Sequence, residues 1–317
     1  MSLNTTTSAE LNDLNDRYAI PFKLRFKTIG EGLITADINN AHASASICLQ
    51  GGQLLSWQPL STAEPVIWLS TAAKFALKAS IRGGIPVCWP WFGAHATNDK
   101  LPAHGFVRTQ PWQVKSTRSL DDGSTEISLT LPITTAMQAM WPHQAQLEML
   151  INVGETLKIA LITRNLGDVD FTITEALHTY FAVSDAAQAQ VEGLDGIHFH
   201  DKAAGWTEGD QTGAIGFAAE VDRVYVNTPE RCTIADPGFN RRIHIAKFSS
   251  QSTIVWNPWA DRAAQLGDLG GDDDGGGWKR FVCVESANAR ENEITVPAGK
   301  SHTLAVEYQV DYPLDPA

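Results

Sequence analysis

Gln146-Leu147-Glu148-Met149-Leu150-Ile151-Asn152-Val153, then Gly154-Glu155-Thr156, then Leu157-Lys158-Ile159-Ala160-Leu161-Ile162-Thr163-Arg164-Asn165 points most directly to the fold class. Both runs are extended in pattern, and the turn signal Val153-Gly154-Glu155 separates them, so 146–153 and 157–165 read as two strands. The pattern continues in both directions. Towards the N-terminus, residues 24–28, 33–38, 45–49, 54–58, 66–69, 112–117 and 126–131 read as strands. Towards the C-terminus, 171–183, 223–227, 232–235, 243–248, 253–256, 281–286 and 302–309 do the same, with Asp122-Gly123 and Pro237-Gly238 among the turns. Residues 8–17, with Ser8 as N-cap, predict one short helix, and 134–141, ended by Pro142, the only other helical turn. A strand roughly every ten residues with so little helix indicates an all-β protein, a sandwich or a barrel. No repeat or linker interrupts it. Residues 1–20 therefore read as an N-terminal extension and 21–317 as a single β-sandwich domain.

Composition narrows the function classes. The 317 residues are 43% hydrophobic and 19% charged, ordinary for a globular protein with a substantial core. A net charge of -12 argues against nucleic acid or an anionic membrane as partner, because either needs a basic face. No apolar run reaches the roughly 18 residues that a membrane span requires. Residues 1–16 are polar and lack the basic and apolar regions of a secretory signal. Cys48, Cys88, Cys232 and Cys283 are widely spaced with no C-x-x-C pair, which predicts free thiols and a cytoplasmic setting. Nothing demands more than a monomer.

Residues 267–277, Gly-Asp-Leu-Gly-Gly-Asp-Asp-Asp-Gly-Gly-Gly, break the strand pattern. The triple aspartate invites calcium, but the alternating carboxylates and closing glutamate of an EF-hand loop are missing. A solvated loop is the plainer reading. It ends shortly before Phe281, where a lid over a nearby site would lie.

Several segments carry residues suited to chemistry. Ser80-Ile81-Arg82-Gly83-Gly84-Ile85-Pro86-Val87-Cys88-Trp89-Pro90-Trp91-Phe92-Gly93 is closely followed by Leu101-Pro102-Ala103-His104-Gly105-Phe106-Val107-Arg108. Arginine grips a phosphate or carboxylate through parallel hydrogen bonds, so in an acidic chain this is a candidate local anion floor. On an extended segment His104 and Arg108 would share a face, with Phe106 between them. In Phe281-Val282-Cys283-Val284-Glu285-Ser286, alternation turns Glu285 to the side of Phe281 and Cys283. A carboxylate on an apolar face has a raised pKa, suited to a general base; the plainer alternative is a turn residue facing water. In Glu175-Ala176-Leu177-His178-Thr179-Tyr180-Phe181, a strand would put His178 and Tyr180 together, suited to proton transfer, although a lone strand histidine is more often structural. His198-Phe199-His200-Asp201 has the spacing for two imidazoles on one face, but no third metal ligand is identifiable, and a solvated edge is the simpler account. No nucleophile elbow, P-loop or dinucleotide fingerprint occurs. Arg82-Gly83-Gly84 is too short to cradle a phosphate by backbone alone, so any phosphate recognition rests on arginine side chains.

The blocks Ile81-Arg82-Gly83-Gly84-Ile85-Pro86 and Leu101-Pro102-Ala103-His104-Gly105-Phe106-Val107-Arg108, in that order, closely resemble the D-hexose-6-phosphate mutarotases of the aldose 1-epimerase superfamily. Leu177-His178-Thr179-Tyr180-Phe181, Asp222-Arg223-Val224-Tyr225, Val255-Trp256-Asn257-Pro258-Trp259 and Val282-Cys283-Val284-Glu285 also look like that family's blocks, from about residue 45 to 308. The resemblance implies an all-β fold, a large antiparallel β-sandwich of the galactose-mutarotase type, with the sugar on its concave face. It implies Glu285 as general base and His178 as general acid. Arg82 and Arg108 would hold a phosphate, Asp222 would contact sugar hydroxyls, and His104 would line the site. The implied substrate is a small sugar phosphate, with no metal or other cofactor. Two departures stand out: Ala103 replaces the glutamine some relatives carry before the histidine, and the Gly/Asp-rich loop looks longer than usual. Two other functions fit the residues: a mutarotase for free aldoses, or a non-catalytic carbohydrate-binding sandwich using Trp89, Trp91 and Trp259. Core tryptophans are the commoner explanation of those three.

Overall fold

The computed structural model describes residues 3–270 and 276–312. Among these, two large antiparallel sheets carry most of the chain. The hairpin of residues 145–165 lies inside the larger sheet, where Ala145–Val153 and Leu157–Asn165 pair from Ala145↔Asn165 to Val153↔Leu157. Successive side chains alternate, so Leu147, Met149, Ile151, Leu157, Ile159 and Leu161 all enter the core. Truncating one such side chain to alanine typically costs about 2–5 kcal/mol. The sheet runs Ile215–Gly216, Gln190–Glu192, Arg231–Asp236, Arg241–Phe248, Ser301–Asp311, Leu157–Asn165, Ala145–Val153, Thr125–Pro132, Gln113–Ser119.

The second sheet runs Thr207–Asp210, His198–Asp201, Val221–Val226, Ser252–Asn257, Phe281–Asn288, Glu175–Leu177, Val87–Cys88, with Tyr180–Ala182 also paired to Phe281–Asn288. Its two faces have different company. Val282, Val284, Val255 and Tyr225 join the main core. Phe281, Cys283, Ile254, Trp256 and Val224 pack in two smaller clusters on the opposite face. Every residue of Phe281–Asn288 is buried, so both faces of this strand are covered. A separate four-stranded sheet, Leu24–Ile29, Leu33–Asn39, Ala43–Cys48 and Gln53–Pro59, sends Phe26, Ile38, Ile47 and Trp57 into the main core.

Four local expectations need correction. The N-terminal helix spans Leu3–Tyr18, so Ser8 is an interior residue and not its cap. This helix packs on the sheets: Leu14 is buried, and the Asn15 side chain bonds both the N–H and the carbonyl of Phe26 at 2.9 and 3.0 Å. Residues 66–69 make only isolated bridges, Ile67↔Phe181 and Leu69↔Gly83. Residues 171–183 form three strands, Phe171–Ile173, Glu175–Leu177 and Tyr180–Ala182, because the first pairs with Ile294–Val296 and the others with Phe281–Asn288. A helix absent from the expectation, Trp259–Leu266, follows Pro258 and ends at Gly267, whose φ of 66° suits a glycine.

Candidate active site

The break between Glu175–Leu177 and Tyr180–Ala182 creates the site. Leu177 pairs with Ser286 and Tyr180 with Cys283, one continuous register that sets His178 opposite Glu285. The ladder lapses at the next residue, where Thr179 N–H turns back to the Leu177 carbonyl at 2.9 Å, while His178 N–H donates to the Pro86 carbonyl at 3.0 Å and so extends the pairing of Leu177 with Val87. Thr179 turns inward, its hydroxyl 2.8 Å from that of Tyr308. His178 Nε2 lies 3.3 Å from Glu285 Oε1, close enough for an ion pair but not aligned as a hydrogen bond. Neither carboxyl oxygen of Glu285, nor Nδ1 of His178, has a hydrogen-bond partner among the described residues. Buried polar groups are almost always bonded, and exceptions concentrate where a ligand or reaction uses them.

Electrostatics follows burial. Glu285 is 1% exposed, and its pKa is pushed well above 4.5 by burial and then by Asp222, with Lys202 partly offsetting them. His178 is held well below 6.5 by burial, reinforced by His104, Arg82 and Arg108. Each shift favours the neutral form, so the pair retains one proton between its two members over a wide pH range. His104 is lowered to about 3, first by burial and then by Arg108, Lys202 and Arg82. It is a neutral imidazole near pH 7.

The other expected site residues gather round this pair. Register along the sheet puts Asp222, Trp256, Cys283 and Tyr180 in one row of the face that carries Glu285. Asp222 Oδ2 accepts from Lys202 Nζ at 2.8 Å. Tyr180 stacks on His178, ring centroids 4.9 Å apart and planes 11° off parallel, and its hydroxyl accepts from Arg82 Nη1 at 2.9 Å. Arg82 Nε donates to Asp268 Oδ1 at 3.1 Å. The His104 and His178 rings are 5.8 Å apart.

The segment carrying His104 and Arg108 is not extended. His104 and Gly105 have φ of 65° and 72°, and Val107–Thr109 is a short 3-10 helix. The turn is forced by a close approach, since a Cβ on Gly105 would collide with the Trp89 carbonyl. Phe106 is consequently buried in the core rather than lying between the two polar groups. Arg108 Nη2 donates to the Ala103 carbonyl at 2.9 Å, and its charge still acts on both histidines.

Some candidates lie elsewhere. Trp89 is fully buried against Phe106 and Trp141, with its indole N–H donating to Thr163. Trp91 donates to the Pro102 carbonyl, and Trp259 packs on Trp278. His198 and His200 sit near the sheet edge among Glu208, Asp210 and Glu291. Among the described residues no group of three or more His, Cys, Asp or Glu is arranged to hold a metal ion. Nor, among the described residues, is any helix long and apolar enough to cross a membrane. Trp256 lies 6.0 Å from the rings of both His178 and Tyr180, a place that residue type alone does not signal but strand alternation does. Lys202 and Asp268 gave no usable signal, because their partners are 20 and 186 residues away.

A buried carboxyl and imidazole are thus in contact on one face of an antiparallel sandwich, ringed by cations and aromatics. The chain belongs to the aldose 1-epimerase family, whose pattern matches residues 35–309. An Escherichia coli protein provisionally named glucose-6-phosphate 1-epimerase is 38% identical over 268 residues, 84% of this chain and 86% of its own length. A Cenchrus ciliaris protein of the same provisional name is 32% identical, covering 81% of this chain and 78% of its own. The solved structure of a provisionally named mutarotase from Salmonella typhimurium superposes with a TM-score of 0.84 at 33% identity, covering 95% of this chain and 99% of that one. The expected antiparallel β-sandwich of the galactose-mutarotase type, with a few short helices, is therefore the observed fold, and the protein is an isomerase.

Proposed function

We propose that this protein interconverts the α and β anomers of a hexose 6-phosphate, with D-glucose 6-phosphate as substrate. The observation that carries this reading is the buried His178–Glu285 contact, 3.3 Å across, with Arg82, Arg108 and His104 acting on it electrostatically. With the pair's single proton passed to His178, Glu285 as carboxylate takes the proton of the anomeric hydroxyl while His178 donates its own to the ring oxygen. The C1–ring oxygen bond breaks and C1 becomes an aldehyde. The C1–C2 bond turns, and the former ring oxygen adds to the other face of the carbonyl, giving its proton back to His178 while the carbonyl oxygen takes the proton held by Glu285. Glu285 thus ends ionised and His178 protonated, ready for either anomer. The one-proton pair is suited to this exchange, since each group must act as acid and base in alternate directions. Each proton transfer contributes about 10²–10⁴-fold.

Arg82 and Arg108 bind the phosphate, neutral His104 and Asp222 bind sugar hydroxyls, and Trp256 flanks the ring. Charge-assisted bonds of about 1.5–3 kcal/mol each separate phosphorylated from free hexose by two or more decades. The substrate class also has support in the provisional names of the relatives. We read the protein as a cytoplasmic monomer, consistent with four buried free thiols. Two-dimensional exchange NMR on glucose 6-phosphate, with and without protein, tests the reading. Faster anomer exchange is expected. Line broadening without faster exchange would make it a sugar-binding protein, and equal acceleration of free glucose a general aldose mutarotase.

A further inference from the structure

The acidic segment 267–277 reads from sequence as a solvated loop, and its triple aspartate and any lid role lie at residues 271–275, outside the described residues. Its base is described, and it is built into the site. Asp268 Oδ1 accepts from Arg82 Nε at 3.1 Å, and Arg82 Nη1 donates to Tyr180 at 2.9 Å. Both anchors are fixed from behind. Ser70 Oγ donates to the Asp268 carbonyl at 2.7 Å, while Ser70 N–H donates to the Arg82 carbonyl at 3.2 Å. One serine therefore ties the two backbones together. Leu269, next in the chain, is buried in the cluster that contains Tyr180, Phe281 and Cys283. Gly277 N–H closes the base of the loop on the Gly270 carbonyl at 3.1 Å.

A guanidinium is planar and rigid, so bonds on two of its nitrogens fix both its position and its plane. Among the described residues, Asp268 takes Nε and Tyr180 takes one Nη1–H, which leaves the Nη2 edge for a ligand. The Asp268 side chain is 29% exposed, so solvent screens its repulsion of an anion, whereas its hold on the guanidinium is direct.

We propose that Asp268 is a positioning residue for anion recognition: it holds Arg82 in one orientation, with the Nη2 edge presented to the substrate phosphate. This rests on the reading of Arg82 as a phosphate ligand. Asp268 itself touches no substrate. It gives the described base of the acidic segment a part in setting specificity.

The test uses the full chain and inorganic phosphate as probe. Phosphate affinity by titration calorimetry, and the ratio of kcat/KM for glucose 6-phosphate to that for glucose by exchange NMR, are compared between wild type and Asp268→Asn. The expected result is a phosphate Kd about 10-fold weaker and a ratio lower by a similar factor. Ser70→Ala, which loosens the tether without touching the carboxylate, should weaken phosphate in the same direction. It also decides the matter if Asp268→Asn fails to fold. An unchanged or tighter Kd overturns the proposal, a tighter one meaning that Asp268 merely repels the anion. Equal losses on both sugars also overturn it. If wild type neither binds phosphate nor is inhibited by it, the phosphate reading falls first and takes this inference with it. If wild type binds but the variants match it, only this inference falls.

Discussion

His178 faces Glu285 across a gap in the ladder, with Nε2 3.3 Å from Oε1. Two residues 107 positions apart by their numbering meet because one register continues on both sides of that gap. On its other side the His178 N–H donates to the Pro86 carbonyl, in the segment just after Arg82. The histidine is thus tied to the stretch that supplies the first arginine.

Glu285→Gln and His178→Asn should each lower kcat for glucose 6-phosphate by at least about 10²-fold, the low end for one general acid or base. Circular dichroism and thermal midpoints should show an intact fold. Near-native turnover in either variant would remove that residue from the mechanism.

The pH profile should be bell-shaped, because activity needs the state with one proton on the pair. The acid limb belongs to addition of a second proton. Since burial holds His178 well below 6.5, that limb falls below the ordinary histidine range. The basic limb belongs to loss of the remaining proton, and burial of Glu285 moves it well above 4.5. Initial rates across the pH range check this; an acid limb at or above 6.5 contradicts it.

Glu285 should also cost the fold stability as pH rises. Its pKa is raised in the folded state, so its contribution is fully present below the unfolded value and is lost as pH climbs through the folded value. The thermal midpoint of Glu285→Gln, relative to wild type, should therefore increase as pH rises. A constant difference would mean that Glu285 is not shifted upward.

Arg108→Ala should raise KM for glucose 6-phosphate about 10–100-fold, the worth of a charge-assisted bond, with little effect on kcat. Arg82→Ala should lower kcat as well, because Arg82 also anchors the Tyr180 ring on which His178 stacks. Steady-state kinetics of the pair of variants distinguishes them; identical KM and kcat effects would deny Arg82 its second role.

Gly105→Ala should destabilise the fold by about 1–3 kcal/mol, since a methyl group meets the Trp89 carbonyl at a φ of 72°. Chemical denaturation measures it. A change within about 0.5 kcal/mol, ordinary for a surface site, would show that the turn can relax.

Legible in the sequence alone are the all-β class, the strands 146–153 and 157–165, and the face to which Glu285 turns. These are local or period-two properties, set by alternation and turn chemistry within a few residues. The motifs around Arg82, His104, Arg108, His178 and Asp222 were also legible, through residue type and resemblance. Tertiary structure alone decided the rest. The segment 101–108 looked extended because spacing carries no information about a carbonyl pressing on Gly105 from another segment. The strand 171–183 looked continuous because its three pieces differ in partners, not in propensity. Asp268 and Lys202 gained their roles from side chains brought near by folding, and the protonation of His178 and Glu285 from desolvation that depends on every element packed around them. Local pattern fixes which way a side chain points; only the assembled sheets fix what it meets.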